Sequence, residues 1–572
     1  MDYRRFLLAL ALSLAVIFVV QMLFPAAKTP IRLKQEDNSA LVAKREGVVS
    51  GTTAVAVPSQ VVPFQPQLKH EAGVPSVSAE TAVFQGHSDR GARFGVSNVG
   101  AALVSVVMNA YENRSPVGGP VNLAVLGQPV VKYRVIAGQS APIDLSSVPF
   151  SVSRQADSVT YHTVLANAVV SIRYAFLPDS YTVHVRGTVA NTTADTVAAM
   201  GNVARASPSY ILVDLPTTFS TTESDTTDDR NYLAYTYMSK REGARNVLFR
   251  SLDPGEKTLV TGPLTWVAAK SKYFVVGMLA PRGMSFDEVT LVGGARTSKV
   301  ATHASATVVV PVNNGMFAFD LYMGPQSLRQ LEAQGRDFDQ VNPYGWAFLR
   351  GVMQPIATGV TRLVLWMHER LALSYGLVLV LLGVFVRLIL WPLNQSAMRS
   401  SLKMQELQPK LQAVQTKYKD DVERQRVEVM KVYSEHGMNP LSPLMGCLPM
   451  LLPMPVLLAL FFVFRNTIEF RGVSFLWLTD LSSRDPYYIL PLLMGVSMYV
   501  LSWIGMRNAP SNPQAKMMSY MMPIMFVAFL ARAASGLNLY YAVQNLAALP
   551  QQWMLSTERT RQGAKSQIRQ AK

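Results

Sequence analysis

A chain of 572 residues is too long for one compact core, and a charged fraction of 16% with a mean hydropathy of +0.18 is unusual for a wholly soluble protein of that size, so a mixed soluble and membrane architecture fits better. The formal charge of +16 points to an anionic partner but is spread along the chain, which leaves nucleic acid, ribosome and phospholipid headgroups all open. The single cysteine, Cys447, excludes an intrachain disulfide, so stability must come from packing.

The chain begins Met1-Asp2-Tyr3-Arg4-Arg5 and then runs largely apolar over 6–24. That is about 19 residues, just enough to cross roughly 30 Å of hydrocarbon. A cleavable signal peptide is the rival reading, but the run is longer than a usual signal core and Pro25-Ala26-Ala27-Lys28 is a poor cleavage site, which favours a transmembrane anchor at 1–25. Arg4 and Arg5 hold its start in the cytoplasm and send the next segment outward. Residues 26–80 carry Pro30, Pro58, Pro63, Pro66 and Pro75 without periodicity and read as a flexible periplasmic linker.

From 81 to 340 the pattern becomes short alternating runs. Ile172, Tyr174 and Phe176 alternate with Arg173 and Ala175, and after Pro178-Asp179-Ser180 the residues Tyr181, Val183 and Val185 alternate with Thr182, His184 and Arg186, which predicts a hairpin. Similar runs at 102–111, 130–137, 266–278 and 305–312 predict an all-β antiparallel sandwich.

Over 344–370 the apolar residues Trp346, Leu349, Met353, Ile356, Val360, Leu363 and Met367 recur every three or four positions, with Gln354, Thr361 and Arg362 on other faces. This predicts an amphipathic helix around Pro355. It could pack on the sandwich, but its direct lead into an apolar run favours an interfacial helix. Five spanning segments are then expected at 371–392, 446–464, 487–506, 517–534 and 537–555, which with the anchor makes six.

Arg399, Lys403, Lys410, Lys417, Lys419, Arg424, Arg426 and Lys431 fall between the first two of these, and Arg559, Arg561, Lys565, Arg569 and Lys572 fall in the basic tail at 556–572. Positive-inside bias then puts both termini in the cytoplasm and the sandwich in the periplasm. The basic loop at 393–440 is itself expected to be a cytoplasmic helical hairpin. Leu407, Leu411, Val414 and Tyr418 make one stripe, Val422, Val429, Met430 and Tyr433 a second, Asp420 with Glu423 caps the second arm, and Gly437 and Pro440 end it.

Two groups carry functional interest. Arg387 lies deep in an otherwise apolar run, where an arginine costs about 2.5 to 3.5 kcal/mol on insertion scales. A wet cavity or partner is favoured over snorkelling, although the cytoplasmic end is only about two turns away. In the last segment Asn538, Tyr541 and Asn545 share one helix face, with Tyr540 and Gln544 beside them, and a groove wall and ordinary interhelical hydrogen bonding explain that face equally well. Pro449, Pro453, Pro455, Pro491, Pro523 and Pro550 favour a hollow, irregular bundle.

Catalytic chemistry is not expected, and neither is a cofactor or a metal. The seven histidines are scattered without ligand spacing and no phosphate-binding G-x-x-x-x-G-K-[ST] loop exists. Gly293-Gly294-Ala295-Arg296 reads as a turn, and Cys447 as a packing residue.

Val386-Arg387-Leu388 through Trp391-Pro392-Leu393, Leu407-Gln408-Pro409-Lys410, Asn439-Pro440-Leu441, Gly446-Cys447-Leu448-Pro449, Met454-Pro455, Asp485-Pro486-Tyr487-Tyr488-Ile489-Leu490-Pro491 and Ser535-Gly536-Leu537 with Tyr540-Tyr541 together resemble the YidC branch of the YidC/Oxa/Alb insertases. The likeness is strong from about 344 onward and looser over the anchor and sandwich, where the Gram-negative form with a large periplasmic domain is the match. Pro453 stands where the family has a polar glutamine, and Ala533-Ala534 where it tends to an aromatic and a proline.

The resemblance implies a five-helix core with a hydrophilic groove open to cytoplasm and lipid, Arg387 as its arginine, and Tyr540 and Tyr541 as substrate-contacting residues. It also implies an inner-membrane insertase and chaperone for nascent membrane proteins. Such a protein works alone or with the Sec translocon and meets the ribosome through its cytoplasmic loops and basic tail. A secondary transporter and a membrane-anchored carbohydrate-binding protein are the alternatives. Against the first, neither an inverted repeat nor an acidic partner within the spans is apparent.

Overall fold

The computed structural model describes residues 80–84, 91–137, 141–165, 168–191, 209–296, 300–344, 350–392, 410–419, 421–435, 454–506 and 513–570, together with 395 and 407. The expected anchor at 1–25 and all but the last residue of the linker at 26–80 lie outside these. The described chain divides into two compact units, Met1–Gly324 and Pro325–Lys572.

The first unit is β-rich. Strands β1 (Thr81–Phe84), β2 (Ala92–Ser97), β3 (Leu103–Glu112) and β4 (Pro120–Asn122) form a sheet in sequence order. A second, 14-stranded sheet is built from β5 (Lys132–Ile136), β6 (Ile143–Asp144), β7 (Ser151–Arg154), β8 (Ser158–Val164), β9 (Ala168–Phe176), β10 (Thr182–Asn191) and β11 (Ser209–Asp214). To these it adds β12 (Ala234–Ser239), β13 (Gly243–Leu248), β14 (Lys257–Lys270), β15 (Phe274–Leu279), β16 (Phe286–Gly293), β17 (Ala304–Val312) and β18 (Met316–Pro325). Its main path runs β6-β5-β11-β17-β16-β14-β15-β18-β10-β9-β8-β7, with β12 paired to β13 and β14.

Period-two side-chain alternation drives the pairing. On β9 the residues Val170, Ile172 and Tyr174 are fully buried while Arg173 between them is exposed, and β10 pairs antiparallel in the register Tyr174 with Val185. The turn between them sets Asp179 at φ +55°, a left-handed position that aspartate tolerates. The run at 266–278 is not one strand. It breaks at Ser271, whose backbone N–H donates to the Phe274 carbonyl at 2.9 Å, so β14 and β15 are a tight hairpin. Every residue of β15 is buried, which marks the center of the sheet as covered on both faces and explains why strict alternation fades there.

The small sheet lies on the β8–β9 end of the large one. The Tyr161 hydroxyl donates to the Val96 carbonyl at 3.2 Å, and the Phe84 ring stacks on Phe176 with centroids 4.4 Å apart. A short helix α1 (Thr226–Arg230), capped by Asp225, carries the buried Asp229, whose carboxylate accepts from the Thr222 N–H at 3.0 Å.

The second unit is helical: α2 (Leu328–Gln334), α3 (Arg350–Leu371), α4 (Tyr375–Ile389), α5 (Val422–Glu435), α6 (Met454–Asn466), α7 (Ile489–Met506), α8 (Pro513–Leu530) and α9 (Ser535–Gln570). Helix α3 passes through Pro355 and ends just before Ala372, whose φ of +50° breaks the chain away from α4. Thr361, expected on a polar face, is buried instead. Its hydroxyl donates back to the Ala357 carbonyl at 2.9 Å, which satisfies it without leaving the helix.

Among the described residues α7 alone is long and apolar enough to cross a bilayer by length and composition, while 375–389 and 519–530 are shorter apolar helices. Helix α9 continues without interruption from the expected last span through the basic tail to Gln570. In the hairpin region 410–417 is helical and α5 is the second arm. At the start of α5 the Asp421 carboxylate accepts from the Arg424 N–H at 3.0 Å, while the expected cap Asp420 lies outside the described residues.

Candidate functional site

The helical unit gathers around one apolar core. Val378, Leu379 and Leu382 of α4 are buried there with Leu460, Val463 and Phe464 of α6, Leu490 and Met494 of α7, and Leu537, Leu539 and Tyr540 of α9. Helices α4 and α9 run side by side in the same direction, as the order of their contacts shows: Leu379 meets Gly536 and Gly383 meets Tyr540 and Val543. A methyl at Gly383 would come within 3.1 Å of the Val543 side chain and 3.4 Å of the Tyr540 carbonyl, so glycine sets how closely the two helices approach.

One turn beyond Gly383, and further along the same seam, stands Arg387. Its Nη2 donates to the Gln551 Oε1 at 2.7 Å, and the Gln551 Nε2 donates to the Trp391 carbonyl at 3.1 Å. Gln551 is 1% exposed, and Arg387 Nε is buried without an acceptor among the described residues. The partner of the guanidinium is thus a neutral amide, and no described carboxylate pairs with it. Arg387 is held among apolar helices by a group that does not neutralise it.

The other site residues lie nearer the start of α9. Asn538 is fully buried, with Nδ2 donating to the Leu530 carbonyl at the end of α8 at 3.1 Å and Oδ1 unpaired among the described residues. Tyr540 packs its ring 5.4 Å from Phe464, and its hydroxyl accepts from the Gln544 Nε2 at 2.9 Å. The Tyr541 ring lies 5.6 Å from that of Tyr540, and Gln544 and Asn545 are half-buried.

Two groupings result. Tyr540, Tyr541 and Gln544 are neighbors, whereas Arg387 reaches past them toward Gln551, which is seven residues, or about 10.5 Å of helix, beyond Gln544. Asn538 is drawn off to tie two helices together.

Sequence reasoning missed Gln551. The signal was present, since a residue seven positions after Gln544 lies two turns along the same face, but it sat among the polar residues that end the span. It also missed the loop at 467–488. There the Asp480 Oδ1 accepts from Gly472 N at 3.0 Å, Ser482 N at 2.8 Å and the Ser482 hydroxyl at 2.8 Å, while the Ser535 hydroxyl donates to the Asp480 carbonyl at 3.0 Å. Asp485, fully buried, accepts from Tyr487 N at 3.0 Å and Leu490 N at 2.7 Å, and so caps α7. This loop positions the starts of α7 and α9.

The arrangement can attract an anionic group and hold polar surface inside an apolar bundle. Among the described residues no group of three His, Cys, Asp or Glu side chains is placed to hold a metal ion.

Two family models match the chain. That of the 60Kd inner membrane protein covers 366–562, and that of the YidC periplasmic domain covers 92–358. The chain is similar to the membrane protein insertase YidC of Geobacter sp. strain M21, 32% identical over 390 residues that make up 67% of each chain. It is also similar to that of Anaeromyxobacter dehalogenans strain 2CP-1, 34% identical over 317 residues, which is 55% of this chain and 56% of the relative. The chain thus spans little more than half the length of the latter. A crystal structure described as an active YidC insertase with its first transmembrane domain resolved aligns with 83% of this chain and 92% of its own at 19% identity, with a TM-score of 0.32.

Proposed function

Since this chain belongs to the YidC family of membrane protein insertases, we propose that it inserts hydrophobic segments of nascent membrane proteins into the bacterial inner membrane and helps them fold, alone or together with the Sec translocon. The observation that carries the reading is Arg387: a guanidinium within an apolar helix bundle whose described partner is the uncharged Gln551.

A substrate's polar flank must cross hydrocarbon at a cost of several kcal/mol. A hydrated groove that reaches partway into the bilayer shortens that crossing, and a fixed positive charge inside it draws acidic flanks inward. The half-buried Tyr541, Gln544 and Asn545 form the groove's polar wall in this reading, with Tyr540 bonded to Gln544 behind them and Asn538 tying α9 to α8, and the apolar faces of 371–392 and 446–464 guide the hydrophobic segment out to lipid. Lowering the barrier this way needs no covalent step.

The reading includes six spans, with five helices from 371 onward making the core and the anchor at 1–25 the sixth. Both termini are cytoplasmic and the β-rich unit is periplasmic. The hairpin at 393–440 and the basic tail meet the ribosome, and their lysines and arginines also meet phospholipid headgroups. The charge asymmetry supports this orientation, because eight lysines and arginines lie between the segments 371–392 and 446–464 and five more in the tail.

Reconstitution provides the test. Proteoliposomes holding the full chain should insert a short single-span protein, scored by protease protection, well above empty liposomes. Equal protection in both would overturn the proposal.

A further inference from the structure

Gln551 has two partners whose chemistry leaves its side-chain amide no choice of orientation. The Trp391 carbonyl can only accept a hydrogen bond and the Arg387 guanidinium can only donate, so Nε2 must face Trp391 and Oε1 must face Arg387. The Trp391 carbonyl lies two residues beyond the end of α4, where 391–392 are again helical, so the amide ties α9 to the chain just past α4. At 1% exposure the amide is not free to turn toward water instead.

The consequence is electrostatic. Had position 551 been a glutamate, a carboxylate at 2.7 Å would form a charge-assisted pair with Arg387 and cancel its field. An apolar residue would remove the guanidinium's described acceptor and the tie to the Trp391 carbonyl. A neutral acceptor alone holds the arginine in place and leaves its charge intact. The unpaired Nε of Arg387 fits this account, since part of its donor capacity is not taken up by the described residues.

We infer that Gln551 is a positioning and specificity-determining residue: by clamping Arg387 to the end of α4 through an uncharged amide, it preserves the positive field that discriminates substrates by the charge of their outward-going flank. This rests on the insertase reading and deepens it.

The test uses the full chain in proteoliposomes and two single-span substrates identical except for aspartates or asparagines in the translocated flank. The wild type should insert the aspartate form faster. Gln551→Glu should lower the aspartate-to-asparagine ratio by roughly tenfold, the effect expected from removing one nearby unscreened charge, and Gln551→Met should lower it only in part. In an Arg387→Ala background Gln551→Glu should no longer depress the ratio through pairing, so the two substitutions should be strongly non-additive.

A purely structural role would slow both substrates in step and leave the ratio unchanged, which would overturn the inference, as would additive effects in the double variant. If the wild type inserts neither substrate, the insertase reading itself falls. If it inserts both and Gln551→Glu keeps the wild-type ratio, only the role of Gln551 falls.

Discussion

Arg387 and Asp229 are both charged groups in poor solvent, and the protein treats them differently. Arg387 is held by a neutral amide and keeps its field, so Arg387→Ala should slow insertion of a substrate with an acidic flank by roughly tenfold more than a neutral one, equivalent to about 1.4 kcal/mol of lost attraction. Equal losses in a reconstituted assay would show that hydration rather than charge attraction is what the arginine supplies. Asp229 is instead penalised. Burial pushes its carboxyl up to about 6, a rise opposed by the Thr222 N–H, reinforced by Glu223 and opposed again by Lys272. Because its folded value lies above the ordinary one, the folded state loses stability as pH rises from about 4 to 6, and the full penalty persists above that. Asp229→Asn, which keeps an acceptor for Thr222, should therefore stabilise the β-rich unit by ~2 kcal/mol at pH 8, a gain that fades as pH falls toward 4. Denaturant titration of the purified chain, with the buried Trp266 among the fluorescent reporters, would show it.

Among the described elements, the two hairpin arms bury few side chains against each other. Their buried seam in the described residues is Leu407, Leu411 and Tyr433, with Val429 and Val432 packed alongside, while Val422 is 73% exposed and Val427 is 63% exposed. Three buried side chains supply only about 1.5 to 3 kcal/mol each, set against the ordering of two helices. The arms should exchange backbone hydrogen much faster than α7 or α9, and protection equal to theirs would rule out a hinged, substrate-presenting hairpin. Leu411→Asp should unfold the hairpin and reduce insertion while the helical bundle still assembles, as judged by its trypsin resistance. The loop at 467–488 is the opposite case. Asp480 and Asp485 satisfy its backbone from within and tie it to Ser535, so it behaves as a fixed bracket for the starts of α7 and α9.

For the whole molecule, the division at Gly324 separates a β-rich unit with its own core from a helical unit that contains Arg387, Gln551 and the tyrosine pair. Every residue assigned to the groove belongs to the second unit. Deleting 81–324 and joining 1–80 directly to 325 should accordingly leave insertion of a simple single-span substrate within about threefold of wild type, less than ~1 kcal/mol of barrier. Complete loss in a truncate that still forms the folded bundle would mean that the β-rich unit takes part directly.

Periodicity made the classes of element legible before any coordinates. Alternation at 172–186 is enough to place β9 and β10, and an arginine deep in an apolar run is conspicuous because hydrocarbon makes charge expensive there. What alternation could not convey was where burial on both faces erases the pattern, as at β14 and β15, or that Thr361 would satisfy its hydroxyl from its own helix and turn inward. The identities of the polar residues on α4 and α9 were readable, but their pairing was not. Which acceptor Arg387 finds depends on the parallel contact of α4 with α9 and on the length of its side chain, and that puts Gln551, rather than the nearer tyrosines, within 2.7 Å. Local propensity and solvent preference act residue by residue and can be read along a chain, whereas a contact between positions 164 residues apart is decided only when the helices pack.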